Sequence, residues 1–280
     1  MIRFGDDGIL CFELESFEVA FEGTNTREEE RVSMTRSQNR ADNALRPYKI
    51  ETGYLPYAPG SVMIHTGNTK VLCAATIEER QPGWMNDAKR GWVKAEYSML
   101  PASTHTRSRR DFNRSNGRTH EIQRLIGRSL RGVTNLMELG PRTLTLDCDV
   151  IVADAGTRTA SITGGWVALA LAADTLRREE KIANFPFSEQ VAAVSLGIVD
   201  GRVLTDLDYV EDSSAETDLN LVMTSSGGLI EVQGTAEGAP FSRKELDRIL
   251  DAGWIALEEI FALQRQALSD AGVSWEALRA

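Results

Sequence analysis

The segment Gly156 to Ser161 combines one glycine, three hydroxyl side chains and one arginine between a predicted strand and a predicted helix. Backbone N–H groups at a helix N-terminus are unpaired and partly positive, so they bind anions. An arginine in the same turn can bind a phosphate through two hydrogen bonds. The segment therefore predicts phosphate binding. The alternative is that Thr157 or Thr159 only caps the helix. A Walker A loop is not supported because its spacing is absent.

Arginines are concentrated between residues 105 and 131, where eight arginines stand against two acidic residues. The chain as a whole has a net charge of −10, which by itself argues against a polyanion-binding protein. A local cluster can still attract a polyanion, because screening by salt makes the nearest charges dominant. Arg118 stands at the start of a predicted helix within this cluster. It is a second candidate phosphate ligand, and the alternative is an ordinary surface arginine.

Carboxylates in the segment 211–220 form the third candidate site. Asp218 and Asn220 alternate along a predicted strand and so share one face of it, and Asp212 could approach Asp218 across the preceding turn. Two close carboxylates can bind Mg²⁺ or Mn²⁺, or one of them can stay protonated and act as an acid. The alternative is a solvated acidic loop. The three histidines show no arrangement typical of a catalytic triad or a zinc site.

Composition places the chain among ordinary globular proteins, with 42% apolar and 26% charged residues in 280. No apolar run reaches the roughly 18 residues that span a bilayer, and the acidic start does not resemble a signal peptide. The three cysteines are widely spaced and indicate neither a zinc site nor a disulfide framework. These observations favour a reducing, cytoplasmic setting.

Hydrophobic periodicity predicts strands that come in hairpins, with single helices between them. Gly67-Asn68 and Asp200-Gly201 are hairpin-turn dipeptides between strand-like runs. A helical spacing of apolar residues begins at Thr119 and continues to Met137, and a buried helix is predicted over 158–178. A final helix begins at Ser242, where a capping box is formed with Glu245. This order predicts an α+β fold, with helices packed on one face of mixed sheets.

The candidate sites and several other ordered blocks resemble the ribonuclease PH family, which trims the 3′ ends of tRNA by phosphorolysis. The resemblance extends from about residue 40 to residue 267. The blocks that carry it include Leu45-Arg46-Pro47, Gly67-Asn68-Thr69-Lys70-Val71-Leu72-Cys73, Ala95-Glu96-Tyr97, Gly117-Arg118-Thr119, Leu146-Asp147-Cys148-Asp149-Val150, Gly156-Thr157-Arg158-Thr159, Glu211-Asp212-Ser213 and Glu216-Thr217-Asp218-Leu219-Asn220.

The resemblance implies a fold like that of ribosomal protein S5 domain 2 and a homo-hexamer built as a trimer of dimers. It implies a tRNA nucleotidyltransferase that uses inorganic phosphate, releases nucleoside 5′-diphosphates and can add nucleotides in reverse. It also implies the residue roles. Phosphate would be bound by Arg118, Gly156, Thr157 and Arg158; Asp212 and Asp218 would be catalytic and bind Mg²⁺ or Mn²⁺; and Arg107, Arg110 and Arg114 would bind RNA.

Three other functions were weighed against this one. A hydrolytic metal nuclease would not need an anion site, since its nucleophile is water. A catalytically silent RNA-binding ring subunit would be expected to lack the carboxylates or the phosphate turn. A small-molecule kinase on a related fold would need a loop for a nucleoside triphosphate, and none is found.

The chain also departs from the family pattern at several places, among them the stretch Gly83 to Gly91. Ala102 stands where the family often has arginine, so one RNA contact is expected to be missing. Ala155 stands where glycine is usual, and we expect an alanine there only if its φ is negative. Residues 1–33 hold nine acidic residues and have no counterpart in the family. We interpret them as an extension that is disordered or precedes the natural start, ahead of one catalytic domain over 34–280.

Overall fold

The computed structural model describes residues 36–85, 89–108, 117–275 and 278. The predicted extension 1–33 lies outside these residues. The first sheet has five strands: β1 (Tyr48–Thr52), β2 (Gly60–Thr66), β3 (Thr69–Glu78), β4 (Trp92–Met99) and β5 (Thr143–Val152). Their order is β1-β2-β3-β5-β4, and every neighbouring pair is antiparallel except β4 and β5. The predicted hairpin between β2 and β3 is confirmed, and Gly67 makes its turn with a φ of +58°.

The second sheet has four antiparallel strands: β6 (Val191–Val199), β7 (Arg202–Thr205), β8 (Thr217–Thr224) and β9 (Leu229–Ala236). Their order is β7-β6-β8-β9. The hairpin predicted at Asp200-Gly201 joins β6 to β7. Strand β7 ends at Thr205, because Asp206 adopts a φ of +55° and turns the chain away.

Four helices accompany the sheets: α1 (Gly117–Arg131), α2 (Thr157–Arg178), α3 (Tyr209–Ser214) and α4 (Arg243–Asp270). The prediction that the helical spacing continues to Met137 was wrong, since α1 ends before Gly132 and the Met137 side chain is exposed. The predicted capping box of α4 is present, with Ser242 as its N-cap and Glu245 at the third position. None of the described helices combines the length and the apolar composition that crossing a membrane requires.

Helix α2 lies at the centre of the molecule and is buried on nearly every side, as its sequence predicted. It packs on β2 and β3 of the first sheet and on β6 of the second. The first sheet carries α1 and α2 on one face. The second sheet lies between α2 and α4. The predicted α+β class with mixed sheets is confirmed, and the layers bring the first turn of α2 beside β6 and β8.

Candidate active site

The predicted phosphate turn joins β5 to α2. Two consecutive residues have left-handed backbones, Ala155 with a φ of +57° and Gly156 with a φ of +65°. Gly156 is the N-cap of α2 and provides no side-chain cap. The Thr159 hydroxyl donates to the Gly156 carbonyl instead, and the Thr157 hydroxyl is paired with Tyr97 at 2.8 Å. Neither threonine therefore acts as the cap of the helix, and no side chain caps the first turn of α2.

The expectation for Ala155 was wrong. An alanine was expected only with a negative φ, but the chain holds it in the left-handed region. Other residues impose this conformation: the Thr69 hydroxyl donates to the Ala155 carbonyl at 2.7 Å and accepts from the Asp154 N–H at 2.9 Å. A left-handed backbone costs an L-residue about 1–2 kcal/mol, so these contacts hold the turn against a local strain.

A buried ion pair fixes the other side of the turn. Arg46 and Asp206 are 4% and 1% exposed, and their side chains meet at 2.7 Å. Arg46 also donates to the Asp154 carbonyl at 2.6 Å, so the pair ties the phosphate turn to the end of β7. Burial acts to lower the pKa of the Arg46 guanidinium, but the charge and hydrogen bond of Asp206 outweigh it and raise that pKa.

Asp154 connects the turn to two neighbouring segments. One carboxylate oxygen accepts from the Asn68 side chain at 2.9 Å, and the other accepts from the Tyr209 N–H at 3.1 Å. Asn68 belongs to the β2–β3 hairpin, and Tyr209 is the first residue of α3. The hairpin, the phosphate turn and α3 are therefore held as one unit.

Helix α3 carries Asp212 and is fixed by a capping box. The Asp208 side chain accepts from the Glu211 N–H, and the Glu211 side chain accepts from the Asp208 N–H. The Glu211 carboxylate is buried and binds Arg36 at 2.8 Å and Arg40 at 3.1 Å. A buried carboxylate with two arginine partners holds the short helix in place, although six residues are too few for a stable isolated helix.

The two candidate carboxylates come together as the sequence predicted. Asp212 opens onto a cavity, yet the protein around its carboxyl group desolvates it and raises its pKa, and the negative charge of Asp218 raises the pKa further. Asp218 lies on β8, and its Oδ1 atom is buried with no hydrogen-bond partner among the described residues. A buried carboxylate oxygen left in this way is typical of a site that a ligand completes.

One cavity of about 510 Å³ collects the predicted groups. Its lining includes the phosphate candidates and the carboxylate candidates, which are Arg118, Gly156, Thr157, Arg158, Asp212 and Asp218. The other lining residues are Met99, Thr104, His105, Thr106, Ala153, Ala155, Ser195, Tyr209 and Asn220. Of these, the sequence placed only Asn220 in a candidate site.

Arg158 is held in place by two neighbours. Its guanidinium contacts the Gln233 side-chain oxygen at 2.5 Å and the Glu121 carboxylate at 3.4 Å, and Gln233 donates in turn to Glu121 at 3.0 Å. Arg118 enters the cavity from the first turn of α1. Their charges act on Asp212 in the direction that lowers its pKa, opposing burial and Asp218. Two arginines and two carboxylates thus share one partly desolvated space.

An aromatic pair at the cavity was not predicted. The rings of His105 and Tyr209 lie 5.9 Å apart, centroid to centroid, and the Tyr209 side chain is exposed. Tyr97 was quoted only as part of a resembling block, yet its hydroxyl positions Thr157. Both contributions depend on residues distant in the sequence, so no local pattern signals them.

The structure describes only part of the arginine-rich segment between the end of β4 and the start of α1. Residues 101–108 are present, Arg107 is exposed, and the Ser103 carbonyl accepts from the Ala153 N–H at 2.8 Å beside the cavity. Arg110 and Arg114 lie outside the described residues. Ala102 is exposed on the same segment.

The two carboxylates are suited to a metal ion that is bound partly by substrate and water, and not to one that is bound by protein ligands alone. No cluster of three or more His, Cys, Asp or Glu residues able to hold a metal was found across the part of the chain that the structure describes. Mg²⁺ usually binds one or two carboxylates and completes its shell with water and substrate phosphate oxygens. The unpaired Asp218 oxygen beside Asp212 fits that donor set.

Comparison with known proteins agrees with this geometry. Residues 44–173 match the model described as "3' exoribonuclease family, domain 1", and residues 189–255 match domain 2 of the same family. A protein of Rhodococcus erythropolis named ribonuclease PH is 50% identical over 239 residues, covering 84% of this chain and 92% of that protein. The chain belongs to the ribonuclease PH family. The ribonuclease PH of Methylobacterium radiotolerans is also 50% identical, over 84% of this chain and all of that protein.

Solved structures support the same fold at lower identity. Rice Rrp46 superposes with a TM-score of 0.68 at 19% identity, covering 83% of this chain and 100% of that one. A chain of the Archaeoglobus fulgidus exosome with RNA bound to the active site gives 0.70 at 18% identity, covering 81% and 91%. Membership of the ribonuclease PH family confirms the predicted phosphorolytic 3′→5′ exoribonuclease activity and its RNA substrate.

Proposed function

We propose that this exoribonuclease trims the 3′ ends of tRNA precursors, with inorganic phosphate bound at the first turn of α2. The main support for this proposal is a single cavity that is lined by an uncapped helix N-terminus, two arginines and two carboxylates. The backbone N–H groups of the helix N-terminus and the two arginines are donors that can bind a phosphate dianion. One of the carboxylates would protonate the leaving oxygen of the substrate.

In the proposed reaction an oxygen of inorganic phosphate attacks the phosphorus of the last phosphodiester bond. The bond from that phosphorus to the 3′ oxygen of the preceding nucleotide breaks, and the product is a nucleoside 5′-diphosphate. Arg118, Arg158 and the amides of the turn hold the attacking phosphate in line and offset its repulsion from the RNA phosphate. Run backward with excess diphosphate, the same arrangement adds nucleotides.

The two carboxylates take different roles in this proposal. The raised pKa of Asp212 favours its protonated form, so Asp212 donates the proton to the leaving 3′ oxygen. Asp218 would hold Mg²⁺ or Mn²⁺, and Asp212 could join it as a ligand only after giving up its proton. The metal ion, when bound, neutralises negative charge on the phosphate oxygens.

Arg107, Arg110 and Arg114 would bind the RNA in this proposal. We also propose that the protein works in the cytoplasm as a homo-hexamer, a trimer of dimers, which rests on the family resemblance. Sedimentation at micromolar concentration tests the hexamer directly, since a monomer has a mass of 30.9 kDa.

A product assay tests the reaction. A tRNA precursor with a labelled 3′ extension is incubated with and without inorganic phosphate, and the released nucleotides are separated. We expect nucleoside diphosphates only with phosphate, and little product from Arg118→Ala or Asp218→Ala. Arg80→Ala is the matched control, because the Arg80 side chain is 82% exposed and does not line the cavity. Monophosphates released without phosphate would instead show a hydrolase.

A further inference from the structure

Ser195 is a buried hydroxyl that the proposed mechanism does not use. It lies on β6, is 5% exposed and lines the cavity. Its Oγ atom has no hydrogen-bond partner in the part of the chain described. Buried hydroxyls are nearly always hydrogen-bonded, and one that is not calls for a ligand or another specific cause.

The position of Ser195 relates it to the phosphate turn. Residues 191, 193 and 195 share the face of β6 that is turned toward α2, where Val191 and Ala193 pack. A Cβ atom placed on Gly156 would lie 3.7 Å from the Ser195 Oγ. The hydroxyl is thus adjacent to the first turn of α2.

The backbone holds this hydroxyl in place. The Ser195 carbonyl accepts from the Asp206 N–H at 2.7 Å, and Asp206 is the buried partner of Arg46. Ser195 stands opposite Asn220 in the β6–β8 register, and Asp218 stands opposite Gly197. Ser195 and Asp218 therefore line the cavity from two neighbouring strands of the second sheet.

We propose that the Ser195 hydroxyl donates a hydrogen bond to the inorganic phosphate bound at the Gly156–Arg158 turn and thereby sets the affinity for this co-substrate. The inference rests on the proposed phosphate site. A hydroxyl can supply the donor that a phosphate oxygen needs, whereas the nearby Asp218 carboxylate can only accept and would repel the anion. Phosphate binding would give a partner to a hydroxyl that has none among the described residues.

The variant Ser195→Ala, which removes the hydroxyl, distinguishes phosphate binding by Ser195 from a role in stabilising the fold. Since Ser195 has no described partner to lose, Ser195→Ala should leave the melting temperature without phosphate unchanged or higher. Thr205→Val is the matched control. Thr205 is fully buried on β7, its Oγ1 atom also lacks a partner among the residues described, and it does not line the cavity.

The experiment measures two quantities on the full chain: the KM for inorganic phosphate and the rise in melting temperature that inorganic phosphate causes. For Ser195→Ala we expect a KM raised roughly tenfold or more, the loss of one hydrogen bond to a charged group, and a smaller thermal shift. For Thr205→Val we expect both quantities to match the wild type. A wild-type KM and thermal shift in Ser195→Ala would overturn the proposal, as would a loss of stability without phosphate.

Failure of the proposed reaction gives a different result. If the wild type releases no nucleoside diphosphate but phosphate raises its melting temperature and not that of Ser195→Ala, the phosphate contact stands and the reaction fails. If phosphate does not raise the melting temperature of the wild type, the Ser195 contact itself is refuted.

Discussion

Replacing Asp206 by alanine should cost much more stability than replacing a carboxylate of an exposed ion pair. Asp206 is 1% exposed and accepts from the Arg46 side chain at 2.7 Å and from the Arg46 backbone N–H at 2.8 Å. Without it, the Arg46 guanidinium stays buried and loses its counter-charge. The same guanidinium holds the Asp154 carbonyl beside the proposed phosphate site, so the change should also loosen that segment.

The size of the effect follows from burial. Breaking a buried ion pair by removing one partner costs about 3–5 kcal/mol, since an uncompensated charge remains inside. An exposed pair contributes about 0–1 kcal/mol. The Arg202–Asp42 pair, at 3.1 Å with side chains 34% and 46% exposed, supplies the comparison within the same molecule.

The assay is urea unfolding at neutral pH, with the free energy of unfolding extrapolated to water. We expect Asp206→Ala to lose about 3–5 kcal/mol and Asp42→Ala to lose less than about 1 kcal/mol. Asp206→Asn keeps the volume and one acceptor oxygen, so its loss should fall between these. The KM for phosphate should rise in Asp206→Asn and stay unchanged in Asp42→Ala.

Equal losses in Asp206→Ala and Asp42→Ala would refute the reasoning, because burial would then have no effect on the cost of losing the partner. An unchanged phosphate KM in Asp206→Asn, together with reduced stability, would show that the pair supports the fold but not the turn.

Four further outcomes are expected. Ala155→Gly should raise the free energy of unfolding by up to about 1 kcal/mol, because glycine adopts the left-handed backbone without strain; urea unfolding measures it. Asp212→Asn should be more stable than the wild type at neutral pH. The raised pKa means that Asp212 favours folding below its unfolded pKa and loses this contribution as pH rises through its folded pKa, so the difference should vanish below about pH 4. Tyr97→Phe should cost about 1 kcal/mol and raise the phosphate KM, since the Thr157 hydroxyl loses its partner. Arg107→Ala should reduce the slope of log affinity for tRNA against log salt by up to about 1, measured by a binding titration.

Opposite results would be equally informative. A loss of stability in Ala155→Gly would mean that the alanine methyl group packs usefully beside the cavity. A stability difference for Asp212→Asn that persists in acid would assign the effect to packing instead of charge. An unchanged salt slope in Arg107→Ala would place the RNA phosphates elsewhere.

The sequence predicted those features that depend on neighbours in the chain. Glycine turns located two hairpins, and the junction of a strand with a buried helix located the phosphate turn. The capping residues Ser242 and Glu245 located the start of α4. Asp212 and Asp218 were brought together by reasoning about one turn and one strand face, and the charge of Asp218 acts on Asp212 as that reasoning required.

Features that depend on tertiary contacts were missed. Helix α3 is too short to show a helical period, although Asp208 and Glu211 form its capping box. Arg46 and Asp206 are separated by 160 residues, so nothing local marks them as partners. Ala155 has a positive φ because Thr69, on a distant strand, binds its carbonyl. The end of α1 was placed too late because the apolar spacing continues into a turn after the helix stops.

Helix α2 also determines how the molecule can come apart. The two family models divide the chain between residues 173 and 189, yet the helix in the first segment packs on β6 in the second. A helix that is apolar on nearly every side cannot be left half in water, so neither segment is expected to fold alone. The phosphate turn belongs to the first turn of this helix. The hydrogen-bonded amides that follow this turn, beginning with that of Ala160, should therefore exchange through global unfolding and not through local fraying, so the backbone behind the turn shares the full cooperativity of the fold.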